Sequence, residues 1–203
     1  MNAIEKKRRL PEWIRVRIGH GGSRKEIQNI LSEGGLNTVC SSAHCPNLGE
    51  CWHKRTAAFM ILGDLCARNC AFCAVKHSDK PLPPPSIEEP LKVASAVVKM
   101  GLRHAVITSV TRDDLPNGGA EFFAAVIEEI RLLSPKTKIE VLTPDFLGKI
   151  DSLSTVIDAG PDIFNHNLET VERLTPLIRS SANYERSLNV LSSVKKISKK
   201  NIV

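Results

Sequence analysis

Four times between residues 57 and 198, a short apolar or β-branched run gives way to a helix-period pattern. Ala57–Leu62 (AAFMIL) reads as a first strand, and His104–Val110 (HAVITSV) as a second, with both faces buried. Thr137–Leu142 and Asp162–His166 read as a third and a fourth. The intervening helices are expected from Ser86–Pro90 to Met100, Gly119 to Leu133, Phe146 to Ala159 and Tyr184 to Ser198. Ser86 and Glu89 have the spacing of a capping box, and Pro90 suits a first turn. Leu91, Ala94, Val98 and Met100 continue one apolar face, which Gly101 ends. Repeated strand–helix units with right-handed crossovers build a parallel sheet, either a barrel or an open doubly wound sheet.

The region ahead of this pattern has a different character. All six cysteines lie between Cys40 and Cys73, and five of the twelve prolines fall in residues 81–90, a stiff connector to the first helix. The first nineteen residues lack the apolar core of a secretory signal, and no run of 18 apolar residues exists. A reducing cytoplasm is therefore expected, with no membrane association. In that compartment structural disulfides are rare, and clustered thiols point to metal. The net charge of +6 comes from the ends: residues 1–28 carry eight Lys/Arg against three Glu, and residues 184–203 five against one. With only 4% aromatics and no basic stripe through the body, no nucleic-acid partner is expected.

The cysteines form two triplets, Cys40-x4-Cys45-x5-Cys51 and Cys66-x3-Cys70-x2-Cys73. Structural zinc wants four protein ligands, so a zinc reading must recruit His44, His53 or His77, or merge the triplets. An iron–sulfur cluster accepts three cysteines and leaves one iron open to a ligand. The second triplet follows the first strand directly, where loops of α/β sheets gather the chemistry.

With its aromatic Phe72, the second triplet resembles the cluster motif of radical S-adenosylmethionine enzymes. The stretches NTVCSSAHCPNLGECW, RTAAFMILGDLCARNCAFCAV, TSVTRDDLPNGGAEFF, TPDFLG, FNHNLETV and NYERSLNVL resemble, in order, those of the lipoyl synthase family. That resemblance implies an α/β fold: a partial (βα) barrel, an incomplete TIM-like parallel sheet, over residues 57–203, with a Cys-rich N-terminal extension over residues 1–56. It implies a 4Fe–4S cluster on Cys66, Cys70 and Cys73 that cleaves S-adenosylmethionine, and an auxiliary 4Fe–4S cluster on Cys40, Cys45 and Cys51 that donates sulfur. All six would be catalytic. The implied reaction inserts two sulfurs at C6 and C8 of a protein-bound octanoyl-lysine; another radical sulfur-inserting enzyme, or an inactive cluster-binding fragment, is the alternative. Those carbons carry no acidic proton, so general-base chemistry does not reach them and a radical does.

The resemblance also implies cofactor contacts from Phe72, Asn117, Gly118, Gly119, Asn165, Glu169 and Arg179. Asp113 and Asp114 are read as loop residues, and His166 as a structural histidine. Expected partners are an octanoylated lipoyl-carrier domain of 2-oxoacid dehydrogenase complexes or the glycine cleavage H protein, and an electron donor such as ferredoxin or flavodoxin. The basic ends read first as solvated tails; the alternative is that Lys6, Lys7, Arg8 and Arg9 help dock an acidic carrier. Family members continue with a Gly-Leu-Gly-Glu segment and an Arg-Ser-Ser-Tyr segment whose serine ligates the auxiliary cluster. The sequence contains neither, so it reads as C-terminally truncated, with an unpaired apolar sheet edge.

Overall fold

The computed structural model describes residues 22–43, 45–198 and 202. The basic stretch around Lys6–Arg9 and His44 lie outside them. Helix α1 (Gly22–Gly34) leads to a short strand β1 (Asn37–Thr38) and the small helices α2 (Val39–Ser42) and α3 (Leu48–His53). Strand β2 (Thr56–Ile61) follows, then two-residue strands β3 (Leu65–Cys66) and β4 (Lys76–His77), which pair only with each other. The repeat continues as α4 (Glu89–Lys99), β5 (His104–Ser109), α5 (Ala120–Leu133), β6 (Lys138–Leu142), α6 (Ile150–Asp158) and β7 (Ile163–Asn165). Helices α7 (Thr175–Ile178) and α8 (Tyr184–Ile197) close the described chain.

The main sheet has the order β1-β2-β5-β6-β7. The last four strands are parallel, and each new strand is added beside its predecessor. A doubly wound sheet reverses its strand order at a switch point. No reversal occurs here, so the strands form an arc of a (βα) barrel, and of the two sheet types the sequence allows, the barrel is the one formed. Strand β1 lies antiparallel on β2, with Thr38 opposite Phe59. The Cys-rich segment therefore joins the sheet.

The core lies between the arc and its helices. Ala105, Ile107, Ile139 and Val141 alternate toward the helices along β5 and β6 and are fully buried. They meet Val93 and Val97 of α4, Phe123, Val126 and Ile130 of α5, and Leu153 and Val156 of α6, all fully or almost fully buried. Burying each such side chain is worth about 1.5–3 kcal/mol. The opposite face of β5, Val106 and Thr108, is only half-buried. The expectation of burial on both faces is thus corrected: β5 packs helices on one side and borders open space inside the arc on the other.

Helix α4 starts differently from the sequence reading. No side chain caps it. The Glu89 N–H donates to the Ser86 carbonyl at 3.1 Å, but its carboxylate accepts from the Leu62 N–H at 2.8 Å, so the capping box does not form. Its buried stripe is Val93, Ala94 and Val97, whereas Leu91 and Val98 are about half exposed. Of the expected face Ala94 and Met100 are buried, while Val93, Ala96 and Val97 take the places expected of Leu91 and Val98. Gly101 ends the helix at φ +56°.

The expected Phe146–Ala159 helix is broken at its start. Asp145 accepts from the Leu147 N–H at 3.1 Å, and Phe146, Leu147 and Gly148 all have positive φ, so regular helix begins at Ile150. Burial drives the break: Phe146 turns inward to meet Phe123 edge-to-face, ring centroids 6.0 Å apart. The outer edge of β7 is not bare either. Ile202 is buried and accepts from the Phe164 N–H at 2.6 Å.

Candidate functional site

Strand β2 leaves the sheet through two left-handed residues, Leu62 (φ +70°) and Gly63 (φ +99°). Left-handed backbone is unfavourable for leucine. Two charged side chains hold it there: Glu89 on the Leu62 N–H, and Arg112, whose Nη1 donates to the Leu62 carbonyl at 3.3 Å. Burial pushes the Glu89 carboxyl above its ordinary value, against the hydrogen bonds from Leu62 and Gly63.

The chain then reaches the second cysteine triplet. Cys66 pairs with His77 in the β3–β4 ladder, which closes the base of the loop. Its sulfur accepts from the backbone N–H groups of Arg68 at 3.4 Å and Thr111 at 3.3 Å. Ala71 N–H donates to the Ile178 carbonyl at 2.9 Å, fastening the tip of the loop to α7. Burial pushes the Cys70 thiol up, and the neighbouring Cys66 and Cys73 sulfurs push the same way against Arg179 and Arg68. Three sulfurs in one another's field call for a cationic group among them.

The loop borders a cavity of about 250 Å³ at the carboxyl ends of the parallel strands. Cys66, Cys70, Phe72, Cys73, Glu169 and Arg179 line it. So do four buried polar atoms without a partner: Ser109 Oγ, Thr143 Oγ1, His166 Nε2 and Arg179 Nε. Buried polar groups are normally satisfied, so four orphans on one wall mark a ligand site. His166 Nδ1 lies 2.9 Å from the Thr143 carbonyl, which only accepts, so Nδ1 carries the proton and Nε2 presents a lone pair. Burial holds the imidazole below its ordinary pKa, in the neutral form. His166 therefore has a structural bond, as expected, and a free acceptor as well.

The first triplet occupies α2, the following turn and α3. Thr38 caps α2 through the Ser41 N–H, and Cys45 N–H donates to the Cys40 carbonyl at 3.1 Å. Burial pushes the Cys51 thiol up, and the charges of Cys40 and Cys45 add to the effect. Val39, next to Cys40, lines the same cavity as the second triplet. Among the described residues, no three His, Cys, Asp or Glu side chains converge closely enough to hold a single metal ion. Tetrahedral zinc would draw its ligands to within about 4 Å of each other. His53 and His77 are exposed and join neither triplet in such a site.

Not every residue expected to touch a cofactor is brought to the cavity. Asn117 Oδ1 accepts from the Gly119 N–H at 2.9 Å and starts α5. Gly118 and Gly119 pack against Phe146 and Leu62: a Cβ on Gly118 would sit 2.9 Å from the Phe146 ring, and one on Gly119 would collide with Leu62. Both also have positive φ. Asn165 donates to Glu140 of β6 at 2.5 Å and does not line the cavity. Glu169, left-handed at φ +64°, and Arg179 do line the cavity. Arg179 Nη1 donates to the Asn167 carbonyl at 2.9 Å and orders the loop after β7. Asp113 and Asp114 keep the loop roles expected of them, pairing with Arg68 and Arg112. Sequence reasoning missed Ser109, Thr143, Arg68 and Asp145. The available signal was a lone arginine between two cysteines, facing acidic strand-end motifs RDD and PDF.

The model of the radical SAM superfamily matches residues 60–203. The chain belongs to the radical SAM superfamily. Members bind a 4Fe–4S cluster and S-adenosylmethionine, and the Cys66–Cys73 loop of this radical SAM chain fits that cluster in donor type, in its N–H-solvated sulfur and in its place beside an unsatisfied polar wall. Curated relatives named lipoyl synthase include those of Rubrobacter xylanophilus, 54% identical over 92% of this chain, Pyrobaculum calidifontis, 50% over 93%, and Symbiobacterium thermophilum, 49% over 93%. The chain spans 58–65% of the length of these relatives. Its fold is similar to a methylornithine synthase (TM-score 0.53, 12% identity, 89% of this chain and 54% of that one). It is also similar to a maturase of the FeFe-hydrogenase (TM-score 0.57, 14% identity, 87% and 45%).

Proposed function

We propose that this chain carries the catalytic half-site of a lipoyl synthase, a sulfurtransferase that inserts two sulfurs at C6 and C8 of a protein-bound octanoyl-lysine. The observation that carries the reading is a free thiol triplet on a cavity with an unsatisfied polar wall, whose lining also takes in Val39, the neighbour of Cys40 in a second free triplet. One triplet suffices for a radical; sulfur insertion into an alkyl carbon also needs a donor close by. Cys66, Cys70 and Cys73 would hold the cluster that reduces S-adenosylmethionine, and Cys40, Cys45 and Cys51 would hold an auxiliary 4Fe–4S cluster that supplies the sulfur.

The chain's own groups have distinct tasks. The unpartnered Ser109 and Thr143 hydroxyls, the His166 Nε2 lone pair and the Arg179 guanidinium would bind and orient the polar parts of S-adenosylmethionine, with Glu169 at the same wall. Phe72, half exposed at the rim, would cover an apolar part. Asn117, Gly118, Gly119 and Asn165 would act one layer behind, by packing and by orienting strand ends. The half-buried inner face of the arc would receive the octanoyl chain. The partner would be an octanoylated carrier domain or H protein, with a ferredoxin- or flavodoxin-type electron donor. Six free thiols fit the reducing cytoplasm, and no helix of the described residues is long and apolar enough to cross a membrane.

The test is anaerobic incubation of the reconstituted chain with an octanoyl-lysine peptide, S-adenosylmethionine and a reductant, read by mass spectrometry. A peptide carrying two added sulfurs supports the reading. Cleavage of S-adenosylmethionine with the peptide unchanged would place the chain elsewhere in the superfamily.

A further inference from the structure

From Gly63 to Asp79 the chain lies over the open end of the arc, and Arg68 is the one buried residue in that stretch. An apolar side chain would anchor a loop here without direction; this anchor is a charge with a fixed fork geometry. Its Nε and Nη2 donate to the two oxygens of Asp113, at 2.6 and 2.9 Å. Its Nη2 and Nη1 donate to the two oxygens of Asp145, at 2.6 and 3.2 Å. Asp113 belongs to the loop after β5 and Asp145 to the loop after β6, so one guanidinium ties three strand-end loops together. Arg186 of α8 adds a bond to Asp145 at 3.3 Å, and the four charges cancel. The backbone of the same Arg68 donates to Cys66 Sγ.

We propose that Arg68 is a positioning residue: its double carboxylate clamp builds the Cys66–Cys73 loop before any metal arrives, and thereby fixes the Arg68 and Thr111 N–H groups on the Cys66 sulfur. The second half of this statement rests on Cys66, Cys70 and Cys73 being cluster ligands; the first half does not. The loop's other ties are backbone bonds, from Ala67 N–H to the Thr111 carbonyl, from Ala71 N–H to the Ile178 carbonyl and in the β3–β4 pairing, while the side chains of Ala67, Asn69 and the run from Ala71 to Ala74 are exposed.

The test compares the full wild-type chain with Arg68→Met, Arg68→Lys and Asp113→Asn. In the reduced, metal-free protein, amide exchange over residues 64–78 and alkylation of Cys66, Cys70 and Cys73 are followed, with Cys40, Cys45 and Cys51 as internal controls. Arg68→Met should accelerate both by about tenfold or more at the loop and leave the controls unchanged. Arg68→Lys reaches one carboxylate at a time and should fall between. After iron reconstitution, the midpoint potential of the loop cluster should move to more negative values in Arg68→Met and partly recover in Arg68→Lys, because N–H bonds to cluster sulfur favour the reduced state.

Unchanged loop exchange in a folded Arg68→Met variant would overturn the proposal, as would equal acceleration at both triplets. A potential that stays fixed while the loop loosens would reduce Arg68 to a stability role and overturn the positioning claim. Should Arg68→Met fail to fold, Asp113→Asn decides, because it spares the buried Asp145 pair; unchanged loop exchange there is equally fatal. If the wild-type chain takes no iron at these cysteines, the cluster reading fails and the loop exchange alone judges the clamp.

Discussion

The Glu89 carboxylate accepts from the Leu62 N–H at 2.8 Å, so the first turn of α4 holds the left-handed exit of β2 that leads to the cysteine loop. Removing the acceptor leaves a buried donor unmade, which costs about 1–3 kcal/mol. Glu89→Ala should lower the unfolding free energy obtained from urea titration by that amount, and Glu89→Gln, which keeps an acceptor, by less. Burial raises the folded-state pKa of Glu89. The folded chain therefore holds this proton to higher pH than the unfolded chain, and stability falls as pH rises from the unfolded pKa through the folded one. Midpoints measured from about pH 4 to 7 should lose that component in Glu89→Gln.

Asp145 predicts the opposite slope. Burial pushes this carboxyl up, but the Arg68 hydrogen bonds and charge, the Leu147 N–H and Arg186 outweigh it and hold the group below its ordinary value. Its contribution is complete above the unfolded pKa near 4 and is lost as pH falls through the folded pKa. Asp145→Asn should flatten the acid limb of the stability profile. It should also cost about 3–5 kcal/mol at neutral pH, because it breaks a buried charge pair from one side. Urea midpoints across the acid range measure both effects.

Much of the fold was legible because its signals are local. The β-branched run at His104–Ser109 and the glycine stop at Gly101 depend on neighbours in sequence, and the corresponding strand and helix end form within a residue or two. The partners of Glu89 and Arg68 are 27 and 77 residues away, and spacing carries no trace of such pairs. The cysteines were legible because thiols are scarce and their chemistry narrow. Ser109 and Thr143 were not, since hydroxyls at strand ends are ordinary until the structure leaves them buried without a partner.

Gly119 separates packing from ligand contact. A methyl group there meets the Leu62 side chain, and the backbone has φ +88°. Gly119→Ala should destabilise the chain by about 1–3 kcal/mol. Its calorimetric affinity for S-adenosylmethionine, measured where the variant remains folded, should stay within a few fold of wild type. A large affinity loss with unchanged stability would instead put Gly119 at the ligand.

His166 should remain neutral through the physiological range, with its proton on Nδ1. Its folded pKa is depressed, so the unfolded chain takes up the proton first and stability falls as pH drops below about 6.5. Nitrogen-15 shifts of the ring should show a protonated Nδ1 and a bare Nε2 at pH 7. Addition of S-adenosylmethionine should shift the Nε2 resonance.

The central proposal, that each cysteine triplet holds its own 4Fe–4S cluster, is tested most directly by iron counting. Wild type, the Cys66/Cys70/Cys73→Ala variant and the Cys40/Cys45/Cys51→Ala variant are reconstituted anaerobically, and iron and sulfide are measured per folded chain. Wild type should hold about eight irons and each variant about four, with 4Fe–4S spectra in all three. Iron that is unaffected by loss of one triplet, or zinc in place of iron at either, would contradict it.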